Sequence, residues 1–179
     1  MKPIDRKLLE KLIRLAGTRL RGDWILIGGT VLPLLGIGYR VTTDIDLICV
    51  GKSDQTDTLQ LMKLAESLGL SVESINQAGA FFLNKIPDFR SQMILLHSGP
   101  SAQIFRPNAT LFLRLKIARL TESDLDDCLA FLKFAKKTGE PVELPVLRKM
   151  MNTELSRSAG LAKFQRLEKL QRQLEVVDT

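Results

Sequence analysis

Apolar residues near the start of the chain recur at helical steps: Ile4, Leu8, Leu12, Ile13, Leu15, Ala16 and Leu20, with basic residues between them. This spacing predicts a helix over residues 3–21, ended by Gly22. The period then changes. Trp24-Ile25-Leu26-Ile27 is wholly apolar and reads as a short buried strand, stopped by Gly28-Gly29. A helical stretch over residues 30–35 follows, closed by the turn Gly36-Ile37-Gly38. Asp44-Ile45-Asp46-Leu47-Ile48-Cys49-Val50 reads as a second buried strand. Residues 58–68, ended by Gly69, form an amphipathic helix with Leu59, Leu61, Met62, Leu64, Ala65 and Leu68 on its apolar side.

Residues 70–105 read as strand-rich, with Ala80-Phe81-Phe82-Leu83 and Ser91-Gln92-Met93-Ile94-Leu95-Leu96 as the strongest segments. Phe81 and Phe82 are expected to pack in the core. Asn108 is a good N-cap for a helix through residue 120. Another helix starts at Thr121 or Ser123 and runs to about Lys137, before Gly139-Glu140-Pro141. From Val146 the chain is helical and basic, and Leu161, Phe164, Leu167, Leu170 and Leu174 form a stripe that would pack on its own domain. The order of elements indicates an α/β or α+β core with a helical C-terminal extension. The expected division is a core over residues 1–142 and a basic helical extension over residues 143–179.

Composition removes some classes of protein. The chain has 179 residues with 45% hydrophobic content, ordinary for a globular protein, and no apolar run long enough to span a bilayer. The charged N-terminus has no apolar segment behind it, so a secretory signal is not expected. Cys49 and Cys128 lie in apolar stretches without metal or redox spacing and read as reduced thiols, which suits the cytoplasm. His97 is the only histidine, and without a second histidine or a paired cysteine a zinc site is not expected. The net charge of +6 is unevenly spread: residues 1–22 hold seven Lys/Arg against two acids, and residues 145–175 hold seven against three. Basic ends around an acidic middle suit either phosphate-attracting arms or two amphipathic helices with solvated Lys-rich faces.

The chemistry gathers in two short stretches. Two residues apart on one strand, Asp44 and Asp46 would present their carboxylates side by side. Paired carboxylates repel unless a cation neutralises them, and a hard divalent ion such as Mg²⁺ takes one or two carboxylates with phosphate and water. Gly28 and Gly29, at a strand-to-helix junction, let backbone N–H groups approach a phosphate without Cβ obstruction, and Thr30 adds a hydroxyl there. No Lys-Ser/Thr pair follows at P-loop spacing.

Together, Gly28-Gly29-Thr30 and Arg40-x-Thr42-x-Asp44-x-Asp46 resemble the signature of the nucleotidyltransferase superfamily. The pattern looks most like the AbiEii-type bacterial toxin nucleotidyltransferases and their uncharacterised relatives. Lys116-Ile117-Ala118-Arg119, followed by Asp124-Leu125-Asp126-Asp127, resembles that group's second, helical motif. The resemblance implies a nucleotidyltransferase-like mixed sheet flanked by helices. It implies Mg²⁺ or Mn²⁺ on Asp44 and Asp46, and a nucleoside triphosphate held by Gly28, Gly29 and Thr30. Arg40 and Thr42 would order the active-site strand or touch the nucleotide. Lys116 and Arg119 would neutralise phosphate charge or form a solvated helix face; Asp124, Asp126 and Asp127 read as helix-start acids.

Active members also place a third carboxylate on a later strand. The best candidate strand, residues 89–96, contains no acid; Gln92 or the flanking Asp88 would have to stand in that position. Two functions therefore follow from the resemblance. One is an enzyme transferring NMP from an NTP to an acceptor hydroxyl on RNA (a tRNA end), protein or a small molecule, toxin-like and with an antitoxin partner. The alternative is a catalytically inactive nucleotidyltransferase-fold domain that binds nucleotide or a partner.

Overall fold

Trp24, Ile25, Leu26 and Ile27 are all buried because their strand lies in the middle of a sheet. The computed structural model describes residues 4–38, 42–51, 53–157 and 160–177. They fall into two units, Met1–Pro107 and Asn108–Thr179. The first contains the sheet. Its strands are β1 (Gly22–Ile27), β2 (Ile45–Cys49), β3 (Ile75–Asn76), β4 (Met93–Ser98) and β5 (Ala102–Pro107), in the order β3-β2-β1-β5-β4. β1 runs antiparallel to β2 and parallel to β5; β3 is parallel to β2, and β4 antiparallel to β5. The mixed sheet with helices is the expected fold class.

Alternation along the strands gives each sheet face a separate job. Trp24, Leu26, Ile45, Leu47, Ile75, Ala102 and Ile104 build the apolar core with α1 (Arg6–Arg19) and α3 (Gln55–Ser67). Helix α1 starts at Asp5, whose carboxylate accepts the Leu8 N–H at 2.8 Å, and it buries Leu8, Leu9, Leu12, Ile13 and Ala16. Helix α3 starts in a capping box: Asp54 and Asp57 each accept the other's backbone N–H at 3.0 Å. It buries Leu61, Leu64, Ala65 and the following Leu68. Leu59 and Met62, expected on the same side, are exposed. At 3.6 residues per turn they lie about 160° and about 100° around the helix from Leu61, outside the buried stripe.

The segment expected as a strand at Ala80-Phe81-Phe82-Leu83 is a single helical turn, α4 (Ala80–Leu83). A run of four apolar residues carries no period, and the burial of Leu83 and Ile86, three apart, belongs to a helical turn. Phe81 and Phe82 are not in the core; they are 62% and 48% exposed. The expected strand at residues 91–96 begins two residues later, because Phe89–Gln92 form a 3₁₀ turn ahead of β4.

The second unit is helical: α5 (Ala109–Ile117), α6 (Glu122–Thr138), α7 (Leu144–Ser156) and α8 (Leu161–Val177). Asn108 caps α5, accepting the Leu111 N–H at 2.9 Å, and Thr121 opens α6 in a capping box with Asp124. The Phe112 and Phe131 rings stack at 4.6 Å in its core. In α8, Leu167, Leu170 and Leu174 are buried, whereas Leu161 and Phe164 of the same stripe are exposed. The boundary expected at 142/143 falls inside this unit, between α6 and α7. Two of its basic residues close the end of α5: Lys163 Nζ donates to the Ala118 carbonyl and Arg166 Nε to that of Leu120, each at 2.6 Å. That is a helix-capping use of positive charge. Among the described residues no helix is long and apolar enough to cross a membrane.

Trp24 is fully buried, and its Nε1–H donates to the Arg21 carbonyl at 2.9 Å. Trp24→Ala should destabilise the protein by about 3–5 kcal/mol in urea denaturation. Trp24→Phe, which keeps most of the apolar volume and loses the hydrogen bond, should cost less.

Candidate active site

The site begins with a register. Ile27, the last residue of β1, lies directly opposite Asp46 of β2, so both side chains stand on the sheet face away from α1 and α3. The chain leaves β1 at Gly28 with φ of +73°, and a Cβ at that position would run into the Asp46 carboxylate. Only glycine meets both conditions. Gly28–Thr30 form a 3₁₀ turn that leads into α2 (Val31–Leu34), and the Val31 N–H donates to the Gly28 and Gly29 carbonyls. Thr30 is fully buried, and its hydroxyl donates to the Ile27 carbonyl at 2.9 Å. The hydroxyl expected to face a phosphate is thus used to close the turn.

Asp44 immediately precedes β2 and is exposed; Asp46 is half-buried. Thr42 ties down the approach to the strand. Its carbonyl accepts the Ile4 N–H at 3.3 Å, and its hydroxyl makes a long contact of 3.4 Å to the Asp44 carbonyl. Arg40 lies outside the described residues. Two hard carboxylates, one open to solvent and one pressed against a glycine, fit a Mg²⁺ or Mn²⁺ ion that draws its other ligands from phosphate and water. Asp44 and Asp46 are the residues that would hold such an ion; among the described residues no three His, Cys, Asp or Glu side chains gather as a metal cluster.

Both residues considered for a third carboxylate position lie in the turn before β4 and not on a strand. Gln92 is buried in the 3₁₀ turn before β4, and Asp88 is an exposed left-handed residue (φ 58°) at the start of that turn. β4 is the far edge of the sheet, three strands from β2, a separation of about 14 Å at the usual strand spacing. The residue in register with Asp46 on its other side is Asn76 of β3. Sequence reasoning missed it because a two-residue strand leaves no alternation to detect.

Lys116 and Arg119 belong to the helical unit, where they meet two of the acids of the second motif. Lys116 Nζ donates to Asp124 Oδ1 at 3.0 Å and to Asp127 Oδ2 at 2.7 Å, and all three side chains are buried. Arg119 donates to both oxygens of Asp124 at 2.8 Å, and the Thr121 hydroxyl adds a contact at 2.8 Å. Burial raises the Asp124 carboxyl, but the Arg119 hydrogen bonds, the Lys116 charge and Thr121 overcome it and hold the group well below the usual carboxylate range. At Asp127 burial pushes the carboxyl up to about 7. Burial also raises the neighbouring Cys128 thiol, which makes it a packing residue and not a nucleophile.

A strand ending in Gly-Gly, laid antiparallel to one that opens with Asp-x-Asp in a mixed sheet, defines a nucleotidyltransferase core. Residues 6–178 match the family described as nucleotidyltransferase of unknown function (DUF6036), and the chain belongs to that family. Membership implies a nucleoside triphosphate as ligand. Neither a curated protein nor a solved structure gives a significant match.

Gly28→Ala should reduce binding of a Mn²⁺–ATP analogue at least ten-fold in a fluorescent-nucleotide titration, because the new methyl displaces Asp46. Gly38→Ala, at a position with nothing within 4 Å and no positive φ, should bind as the parent does. A second expectation concerns pH. Asp127 is raised from 3.8 to about 7, so the folded state holds a proton that the unfolded chain releases, and stability falls as pH rises through 7. The urea midpoint should be lower at pH 8 than at pH 5, and Asp127→Asn, neutral throughout, should remove most of that difference.

Proposed function

We propose that this protein is a divalent-cation-dependent nucleotidyltransferase that moves NMP from an NTP onto an RNA hydroxyl, with a tRNA end as the preferred acceptor. The observation that carries the reading is the Asp46 carboxylate set against Gly28 at the end of β1, with Asp44 two residues before it. That arrangement supports a cation and a phosphate-accepting backbone turn side by side. The cation, when bound, offsets triphosphate charge and polarises the α-phosphorus. Asp44 and Asp46 hold it, and Gly28 and Gly29 admit the phosphates close to the main chain. The acceptor oxygen forms a new bond to the α-phosphorus, the bond to the bridging oxygen breaks, pyrophosphate leaves, and the hydroxyl proton passes to water. Thr30 keeps the turn closed, and Thr42 orders the entry to β2. Lys116 and Arg119 fix the α5–α6 corner of the helical unit.

RNA is favoured as acceptor by the surface next to the site. Gly79 packs on Ile27 and Ile48, on the Asp46 face of the sheet, and the turn that follows presents Phe81 and Phe82. Their rings meet edge to face at 5.4 Å, and Lys85 Nζ lies 3.8 Å over Phe81. Exposed rings with a cation suit stacked bases and a phosphate backbone. The setting that fits is the cytoplasm, where NTP, Mg²⁺ and RNA are available and Cys49 and Cys128 stay reduced. A toxin role like that of the AbiEii group would require a neutralising antitoxin.

One observation favours the second reading, a domain that binds nucleotide without turnover: an amide, Asn76, and not an acid stands in register with Asp46. Label transfer separates the two. Each α-³²P-labelled nucleoside triphosphate is incubated with the protein, Mg²⁺ and total cellular RNA and protein, beside the Asp44→Ala/Asp46→Ala double variant. Label on RNA that disappears in the variant is the expected result. No label with any nucleotide, from folded protein, transfers the assignment to the binding domain.

A further inference from the structure

Asp46 has two cross-strand neighbours, and they differ in kind. On the β1 side stands Ile27, which is apolar; on the β3 side stands Asn76. Partners in register on paired strands project to the same face, so Asn76 is the polar side chain that flanks Asp46 across the sheet. Its orientation follows from chemistry. Asn76 Oδ1 accepts the Ala78 backbone N–H at 3.0 Å, and since an N–H can only donate, the atom facing it is the oxygen. The Nδ2 amide is therefore turned away from that turn. Among the described residues Asn76 makes no other side-chain hydrogen bond.

We propose that Asn76 is the third polar member of the site, a neutral hydrogen-bond donor that grips an oxygen of the bound nucleotide beside Asp46. This rests on the reading of Asp44 and Asp46 as cation ligands. An amide NH₂ cannot take a proton from the acceptor and does not ligate a cation; it can hold a phosphate or ribose oxygen. The protein's charge at the cation is then that of two carboxylates. Cation affinity follows the number of charged ligands, so the ion alone binds weakly, and the nucleotide supplies the remaining oxygens. Cation and nucleotide accordingly enter together, each tightening the other by the same factor. Asn76 is a positioning residue in this scheme, and its consequence is an obligatory pairing of ion and nucleotide.

The test titrates Mn²⁺ by electron paramagnetic resonance, with and without α,β-methylene-ATP, on the full chain and on Asn76→Asp, Asn76→Ala and Asp46→Ala, each checked for folding by circular dichroism. Asn76→Asp is nearly isosteric and keeps an oxygen for the Ala78 N–H. In the parent, the analogue should tighten Mn²⁺ binding at least ten-fold. Asn76→Asp should tighten Mn²⁺ without nucleotide about ten-fold, and the extra gain from the analogue should shrink. Asn76→Ala should leave Mn²⁺ alone within two-fold and weaken the analogue about five- to ten-fold. Mn²⁺ affinity unchanged in Asn76→Asp, or analogue affinity unchanged in Asn76→Ala, overturns the proposal while the cation site stands. Equal Mn²⁺ binding by the parent and Asp46→Ala overturns the carboxylate assignment itself, and the proposal with it.

Discussion

The structure of the first unit turns on the pairing of Ile27 with Asp46. It sets Asp46 on the sheet face opposite the α1 and α3 core, and it brings that carboxylate against Gly28, where β1 ends. A slip of one residue would send Asp46 into the apolar layer with Trp24 and Leu61 and turn Ile45 outward. Burying an unpaired carboxylate there costs several kcal/mol, so the hydrophobic pattern of β2 enforces the position of the chemistry. The core and the site are thus specified by the same alternation.

The helical unit solves a different electrostatic problem. A lysine, an arginine and two aspartates come together with one ammonium shared between two buried carboxylates. Arg119 and Thr121 satisfy Asp124 from the outer side, while burial raises the Asp127 carboxyl. Breaking such a cluster by removing one partner strands the others away from water. Further basic side chains of this unit, Lys163 and Arg166, are spent on the open carbonyls at the end of α5, where Leu120 turns left-handed at φ 37°. Part of the positive charge of the C-terminal segment is therefore explained by helix ends and not by a polyanion.

Much of this was legible from residue order, and the failures have physical causes. Long periodic segments announced themselves: the stripe of α1, the Asn108 cap, the start of α6 at Thr121 and the apolar run of β1 all carry local signals. Gly28-Gly29 and Asp44-x-Asp46 were readable because backbone freedom and paired charge are unusual beside buried strands. The region after α3 was not. Ala80–Leu83 is too short for its period to show, and its two rings face outward. The location of Asn76 depends on pairing between distant segments, which no local pattern records.

The brevity of β3 has a kinetic meaning. Two residues hold it to β2, and of the two only Ile75 is fully committed to the core. Releasing them exposes little apolar surface, so this edge is among the least costly parts of the sheet to open. If Asn76 lines the nucleotide site as proposed, release of β3 would open that side while β1 and β2 keep Gly28 and Asp46 in place. Exit of a bound nucleotide would then be timed by a local fraying event at one sheet edge, and the lifetime of the complex would be set by β3 and not by the cohesion of the whole fold.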